Sequence, residues 1–102
     1  MSLRGKTALI TGSTSGIGLG IANALAAEGC AIMLNGFGDA PAIEAIRRDL
    51  AHRHEVKVAH HPADVSKPEQ IRAMIADTAA QLGAVDILVN NAGIQHVAPI
   101  EQ

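Results

Sequence analysis

The sequence predicts an α/β fold, a doubly wound parallel sheet with helices on both faces, and two patterns carry that prediction. Four short apolar runs alternate with three segments in which apolar residues recur at helical spacing, in the order βαβαβαβ. A glycine-rich segment joins the first run to the first helical segment. Helical crossovers between parallel strands are right-handed, so this pattern favours a sheet with its strands in the order 3-2-1-4.

The predicted strands are short and apolar, as is typical of strands that are buried on both faces of a parallel sheet. They are residues 6–11, 31–35, 56–60 and 86–90. Doubly wound sheets usually contain six or more strands. Four strands therefore predict one mononucleotide-binding half and the start of the next, and residues 1–102 are interpreted as the N-terminal portion of a single domain.

Each predicted helix has a start or stop signal. The first begins in the glycine-rich segment and ends before Gly29, and the second has Asp39 as its N-cap and Pro41 in its first turn. The third is predicted to start with a Ser-x-x-Glu capping box at 66–69 and to end at Gly83. The apolar positions predicted to face the core are Ile17, Ile21 and Leu25 in the first helix, Ile43, Ile46 and Leu50 in the second, and Ile71, Met74, Ile75, Ala79 and Leu82 in the third.

Composition argues against several classes of protein. The chain is 48% hydrophobic and 18% charged, which is typical of a globular domain, and its net charge of −2 offers no electrostatic attraction for nucleic acid or an anionic membrane. No segment reads as a signal peptide or a membrane span, so a cytoplasmic location is expected. The single cysteine, Cys30, is predicted to be a small buried residue. Neighbours such as His60 and His61 point to opposite faces of a strand, and no metal site is predicted.

The segment between the first strand and the first helix, TGSTSGIG at 11–18, has the spacing G-x-x-x-G-x-G. Gly12 would turn the chain sharply off the strand, Gly16 would let backbone approach a pyrophosphate, and Gly18 would let the helix pack closely on the sheet. The amides at the helix N-terminus would bind phosphates. The predicted additional donors are the hydroxyls of Ser13, Thr14 and Ser15. A plain glycine turn remains the alternative, whereas a P-loop is excluded because no Lys-Ser/Thr pair follows the last glycine.

Three motifs in this order resemble the short-chain dehydrogenase/reductase family: TGSTSGIG, the Asp64-Val65 pair after the third strand, and NNAG at 90–93. The resemblance covers the whole chain and implies a Rossmann-type fold and an oxidoreductase that uses a nicotinamide dinucleotide. Within the family, LNGFGD at 34–39 and NNAGIQH at 90–96 are most similar to bacterial D-3-hydroxybutyrate dehydrogenases. That similarity implies a small hydroxy acid or keto acid as substrate and a homotetrameric parent protein.

The resemblance also implies roles for individual residues at the adenosine end of the cofactor. The loop from Gly12 to Ile17 would wrap the pyrophosphate and ribose. Asp64 would accept a hydrogen bond from the adenine amino group, and Val65 and Phe37 would lie beside the adenine. The implied cofactor-binding residues are Gly12, Thr14, Ser15, Gly16, Ile17, Phe37, Asp64, Val65, Asn91, Ala92 and Gly93. Two alternatives stay open: Asp64 could be only a turn residue, with Ser66 capping the next helix, and Phe37 could cover apolar core.

The segment after the fourth strand would face the nicotinamide side of the same crevice. By resemblance, residues 91–93 would line the crevice, and Gln95 matches a residue that helps to hold the substrate carboxylate in the hydroxybutyrate enzymes. The alternatives are that the asparagine pair at 90–91 ties strand ends together and that Gln95 is a solvated loop residue.

The turn after the second strand favours NAD over NADP. Dinucleotide sites commonly place an acidic residue there for the ribose 2′-hydroxyl, or a basic residue for a 2′-phosphate. Here the turn reads Asn-Gly-Phe at 35–37, and Ser15 precedes the second glycine of the loop, so neither charge is present. A 2′-phosphate would lie unpaired beside the apolar ring of Phe37, although the glycine amides on either side of Phe37 could still receive one.

The chain contains no tyrosine, and this bears on what it could do alone. The resemblance implies proton transfer by a serine and a Tyr-x-x-x-Lys pair, so no catalytic residue is expected within these 102 residues. Two alternatives to a hydroxybutyrate dehydrogenase stay open. One is a non-catalytic NAD-binding module, and the other is a short-chain dehydrogenase that acts on a different alcohol or keto substrate.

Overall fold

A computed structural model of the chain describes residues 3–92, in which strands and helices alternate as predicted. The elements are β1 (Thr7–Ile10), α1 (Gly16–Ala27), β2 (Ala31–Asn35), α2 (Ala40–His54), β3 (Val58–His61), α3 (Pro68–Gln81) and β4 (Ile87–Val89). The strands form one parallel sheet in the order β3-β2-β1-β4, so the predicted order is confirmed. Within residues 3–92, no helix is both long enough and apolar enough to cross a bilayer.

The register of the strands brings their carboxyl ends to one edge of the sheet. Ile10 at the end of β1 lies opposite Leu34 of β2 and Val89 of β4, and Leu34 lies opposite His60 of β3. The segments that follow all four strands therefore start side by side. In such sheets, ligands bind at this edge where the strand order reverses, which here falls between β1 and β4.

Helices cover both faces of the sheet and create two apolar cores. One core joins β1, β2 and β3 to α1 and α2 and includes Ile10, Leu34 and Leu50. The other lies under α3 and includes Leu9, Met33 and Met74. Alternate residues of β1 and β2 thus enter opposite cores, as the period of two along a strand requires. The doubly wound arrangement is confirmed.

The buried face of α1 differs from the one that its largest side chains predict. Its buried residues are Gly18, Ala22 and Ala26, whereas Ile17 is 70% exposed. A Cβ atom on Gly18 would overlap the carbonyl oxygen of Gly12. Because the first turn of α1 approaches the glycine loop this closely, no side chain fits at Gly18. Ile21 and Leu25 are half-buried and pack against the core as predicted, so of the predicted stripe of α1 only Ile17 is wrong.

The predicted capping box of α3 is wrong. Lys67 occupies the N-cap position without a side-chain cap, because the hydroxyl of Ser66 donates instead to Asp64 Oδ1 at 2.7 Å. The predicted cap of α2 is confirmed, since the Asp39 carboxylate accepts a hydrogen bond from the Ala42 amide at 3.1 Å.

The core-facing stripe predicted for α3 is only partly correct. Met74 is buried as predicted, and Thr78 is buried beside it, with its hydroxyl bonded to the Met74 carbonyl oxygen at 2.7 Å. Ile75 is 41% exposed and Ala79 is exposed. Ile75 and Ile71 border an apolar cavity between α3 and Leu88 of β4, and the described residues leave this part of the predicted stripe uncovered.

Candidate functional site

The loop after β1 has the backbone geometry that its glycines predict. Gly12 and Gly16 have φ values of 59° and 58°, in the left-handed region that glycine adopts without strain. A Cβ atom at Gly16 would meet nothing within 4 Å, so this part of the loop borders open space. The chain thus leaves β1 in a sharp turn and presents bare backbone at the carboxyl edge of the sheet.

Asn35 anchors this loop from below. Its Oδ1 accepts a hydrogen bond from the Gly12 amide at 3.0 Å, and its Nδ2 donates to the carbonyl oxygens of Ala63 and His61 at 3.0 and 3.2 Å. The side chain is therefore consumed by contacts that join the ends of β1, β2 and β3. Asn35 is 2% exposed and is a structural clamp, whose role sequence reasoning missed because these partners are far away in the chain.

The hydroxyl of Ser13 does not face a ligand, so its prediction as a phosphate donor is wrong. Ser13 is fully buried, its Oγ donates to the Ile10 carbonyl oxygen at 2.7 Å, and the same Oγ accepts from the Asn35 amide at 2.9 Å. A serine directly after a strand can bond back to that strand, and here the short reach to Ile10 decides its direction.

The N-terminus of α1 is exposed and has no side-chain cap. Ser15 is its N-cap and makes no side-chain cap hydrogen bond, and Ser15, Gly16 and Ile17 are all exposed. The first amides of a helix lack intrahelical partners and carry the positive end of the helix dipole. Thr14 is half-buried and lies against Gly36, where a Cβ atom would overlap the Thr14 hydroxyl. The loop and the turn after β2 are therefore in close contact.

Asp64 is both a turn residue and a wall of the site. Its Oδ1 accepts hydrogen bonds from the Ser66 hydroxyl at 2.7 Å and the Ser66 amide at 2.9 Å, and these bonds, with a smaller contribution from the charge of Lys67, lower the pKa of Asp64. The Asp64 amide donates to Gln70 Oε1 at 2.7 Å. No described residue donates to Oδ2, which leaves an ionised acceptor for a ligand.

These elements enclose a cavity of about 320 Å³ at the carboxyl edge of the sheet, which we call the edge cavity. Its walls come from the segments after all four strands. The lining residues are Gly12, Asn35, Gly36, Phe37, Ala63, Asp64, Val65, Ser66 and Ala92. Phe37 is 70% exposed at its rim, so the alternative in which this ring covers apolar core is wrong.

The asparagine pair after β4 ties the strand ends together, as one alternative held. Asn91 is 1% exposed and its Nδ2 donates to the Gly12 carbonyl oxygen at 3.0 Å. The amide of Ala92 donates to Thr11 Oγ1 at 3.0 Å, which places Ala92 against the glycine loop. Asn91 acts through this tie, while Ala92 lines the edge cavity itself. Gly93 and Gln95 lie outside the described residues.

Comparison with known proteins adds the family. Residues 6–102 match the sequence model of the family described as short chain dehydrogenase. The chain belongs to the short-chain dehydrogenase family. The resemblance carried by the glycine loop, the Asp64-Val65 pair and the asparagine segment is thereby confirmed.

Two relatives within the family share the name D-beta-hydroxybutyrate dehydrogenase. The protein of Cupriavidus necator is 57% identical over 100 residues, and that of Rhizobium meliloti is 53% identical over 96 residues. These matches cover 97% and 94% of this chain but 38% and 37% of the relatives. The chain therefore spans little more than a third of the length of these curated relatives.

Solved structures of the family have the same fold. L-Sorbose reductase from Gluconobacter frateurii, complexed with NADPH and L-sorbose, matches with a TM-score of 0.83 and 41% sequence identity. The match covers 91% of this chain and 35% of that protein. The four-stranded sheet and its helices are thus the Rossmann-type arrangement of the family.

Proposed function

We propose that this chain is the NAD-binding portion of a short-chain dehydrogenase that oxidises (R)-3-hydroxybutyrate to acetoacetate. The observation that carries the proposal is the edge cavity, whose walls include Asp64 and Gly12 of the glycine loop that leads into α1. A dinucleotide needs an anion-binding site for its pyrophosphate and a polar partner for its adenine. The exposed backbone at Gly16 and the available Oδ2 of Asp64 fit these two requirements.

The assignment of NAD rests on charge at the rim of the edge cavity. Ser15 and Phe37 are exposed on the two sides where a 2′-phosphate would need a cation, and no lysine or arginine is among the described residues that line the cavity. Asn35 points inward and is occupied. The sorbose reductase of the same fold is complexed with NADPH, so the fold by itself does not exclude NADP, and the proposal for NAD depends on the local charges.

The roles of this chain's residues follow from their positions. When bound, NAD would accept hydride from the substrate carbon. The α1 N-terminus would hold the pyrophosphate, Asp64 would orient the adenine, and Phe37 and Val65 would shield the adenine ring from water. The Asn91 tie to Gly12 would keep the glycine loop in place. The resemblance implies proton transfer by a serine, a tyrosine and a lysine, and we propose that these residues belong to the remainder of the parent protein.

The choice of substrate is supported by two observations. Relatives that are 57% and 53% identical carry the name D-beta-hydroxybutyrate dehydrogenase. Gln95 also stands at the position that the resemblance associates with the substrate carboxylate. We further propose a cytoplasmic homotetramer as the working form of the parent protein.

Steady-state kinetics of the full-length protein test this function. We expect turnover of (R)-3-hydroxybutyrate with NAD, and little turnover of the (S) enantiomer or of L-sorbose. Turnover of a different alcohol in preference to 3-hydroxybutyrate would indicate another substrate class. NAD binding without turnover of any hydroxy acid would support a non-catalytic NAD-binding module.

A matched pair of variants tests the adenine contact. Asp64→Asn keeps the Oδ1 acceptor for Ser66 but replaces Oδ2 with a donor, so it should weaken NAD binding about tenfold, in the range for a hydrogen bond to a charged group. Asp77→Asn is the control, since Asp77 lies on α3 and bonds to Gln81 at 2.9 Å. Equal affinities of the two variants for NAD would show that Asp64 does not bind the adenine.

A further inference from the structure

We infer that His60 is a positioning residue for the end of the edge cavity lined by Phe37 and Asp64, which we call the adenosine end. Its ring donates a hydrogen bond to the turn at residues 36–38, which contains Phe37. The inference rests on the proposed function, since it concerns the same cavity. It assigns a role to a residue that makes no contact with the dinucleotide cavity itself.

The geometry starts from a short hydrogen bond. His60 Nε2 lies 2.6 Å from the carbonyl oxygen of Gly36, and a carbonyl oxygen only accepts, so Nε2 carries the hydrogen and donates. The register places His60 opposite Leu34, two residues before Gly36. The half-buried imidazole therefore reaches past the end of β2 and contacts the first residue of the turn.

The turn is held on one side by the glycine loop and on the other by His60. Gly36 packs so closely on Thr14 that a Cβ atom there would overlap the Thr14 hydroxyl. Beyond the turn lies a second cavity of about 430 Å³, bordered by Phe37, Gly38 and His60. On this side the turn borders a cavity and not packed core, so packing does not hold it there. The hydrogen bond from His60 restrains the turn on this side.

The consequence concerns Phe37 and the Gly36 backbone, which line the edge cavity. Two glycines flank Phe37, so the backbone at 36–38 has more freedom than any other residue type would allow. Loss of the His60 bond would let the turn move away from Thr14 and widen the adenosine end. Ligands that contain adenosine should then bind more weakly, while the nicotinamide side and the chemical step stay unchanged.

The test compares three substitutions of His60 in the full-length protein. His60→Phe keeps a ring but removes the donor, and should raise the Kd for NAD and ADP-ribose about three- to tenfold, the range for one hydrogen bond. The KM for NAD should rise likewise, with kcat unchanged. His60→Gln should leave the Kd for NAD near that of the unmodified protein, since glutamine Nε2 is as many bonds from Cβ as histidine Nε2 and can donate the same hydrogen bond. His60→Asn places its amide nitrogen one bond closer and should behave like His60→Phe.

His54→Phe is the matched control. His54 Nε2 lies 3.1 Å from Asn23 Oδ1 and joins the end of α2 to α1, remote from the edge cavity. Its loss should lower stability without changing the Kd for NAD. If His60→Phe does not fold, the Kd for NAD of His60→Gln is compared with that of His60→Asn. A higher Kd in the asparagine variant supports the role of His60, and equal values overturn it.

The possible failures are distinguishable. A full-length protein that binds neither NAD nor ADP-ribose would overturn the proposed function and this inference together. A protein that binds NAD, with the same Kd in the histidine, phenylalanine and asparagine forms, would overturn only the role of His60. A fall in kcat with an unchanged KM for NAD would also overturn that role.

Discussion

The side-chain amide of Asn91 donates a hydrogen bond of 3.0 Å to the carbonyl oxygen of Gly12, across 79 positions of the chain. Gly18, at the start of α1, lies against the same contact, since a Cβ atom there would come within 2.7 Å of Asn91 Nδ2. Asn91 is 1% exposed, so this amide has no access to water that could replace its partner. The end of β4, the glycine loop and the first turn of α1 are thus joined at one point.

Two glycines of α1 should respond to alanine in opposite ways. Gly18→Ala should lower the free energy of unfolding by about 1–3 kcal/mol, because the added methyl group overlaps the Gly12 carbonyl oxygen. Gly20→Ala should raise it by about 0.5–1 kcal/mol, because Gly20 is exposed within the helix and a Cβ atom there meets nothing within 4 Å. Urea unfolding of both variants measures the difference. Equal stabilities would show that α1 does not approach the Gly12 carbonyl oxygen this closely.

The preference for NAD over NADP should depend on the charge of the side chain at position 37. We expect the full-length protein to have a higher kcat/KM with NAD than with NADP, because a 2′-phosphate with about −1.5 to −2 charges would lack a cationic partner at the rim. Phe37→Arg should raise the ratio of NADP to NAD kcat/KM by about tenfold.

Phe37→Leu serves as its control, because it shortens the apolar side chain without adding charge. Its ratio of NADP to NAD kcat/KM should stay near that of the unmodified protein. Equal or better kcat/KM with NADP in the unmodified protein would contradict the preference.

The acid side of the stability profile should depend on Glu44. Hydrogen bonds and charge from Arg47, with a further contribution from Arg48, lower the pKa of Glu44 from 4.5 to about 2. Since the folded pKa lies below the unfolded one, this stabilisation is complete above pH 4.5 and is lost as the pH falls towards 2. Glu44→Gln should therefore flatten the dependence of the unfolding free energy on pH in that window, as urea unfolding between pH 2 and 6 would show.

Asp49→Asn is the control for this effect. It removes the exposed ion pair of 2.7 Å between Asp49 and Arg53 on the same helix. Arg47, in contrast, also donates to the Val58 carbonyl oxygen at 3.0 Å and so joins α2 to β3. An equal flattening in both variants would show that the Glu44 pair has no special weight.

Residues 1–102 expressed alone should be poorly soluble and inactive as a dehydrogenase. Ile75 and Leu88 are 41% and 60% exposed and border an apolar cavity of about 300 Å³ between α3 and β4. β4 pairs with β1 alone among the described strands, and an apolar open edge promotes association with other chains. The chain also lacks a tyrosine for acid–base catalysis, a contribution worth about 10²–10⁴-fold.

Charge substitutions separate the apolar surface from other causes of aggregation. Ile75→Lys with Leu88→Lys should increase the monomer fraction in size exclusion. Ala73→Lys with Ala80→Lys adds the same charge at exposed positions of α3 outside the cavity and should help less. A monodisperse, unmodified chain that reduces NAD with 3-hydroxybutyrate would show that residues 1–102 contain the catalytic groups, contrary to this prediction.

Features that depend on local backbone chemistry were predictable from the sequence. Gly12 and Gly16 adopt left-handed φ angles, which glycine does without strain, so these turns could be predicted from residue type. The cap at Asp39 could be predicted because its partner, the Ala42 amide, is only three positions away. The strand order followed from the alternation of strands and helices, because the handedness of crossovers is nearly invariant.

The directions of polar and apolar side chains were decided by tertiary structure. The sequence alone determined the parallel sheet, the glycine turn and the family; it did not determine that Ser13 and Asn35 bond inward or that Ile75 stays exposed. His60 illustrates the reason, since its partner Gly36 is 24 positions away and is reached only through the register of β2 against β3. A hydroxyl, amide or imidazole has several possible partners along a chain, and only the packed sheet brings one of them within hydrogen-bond distance.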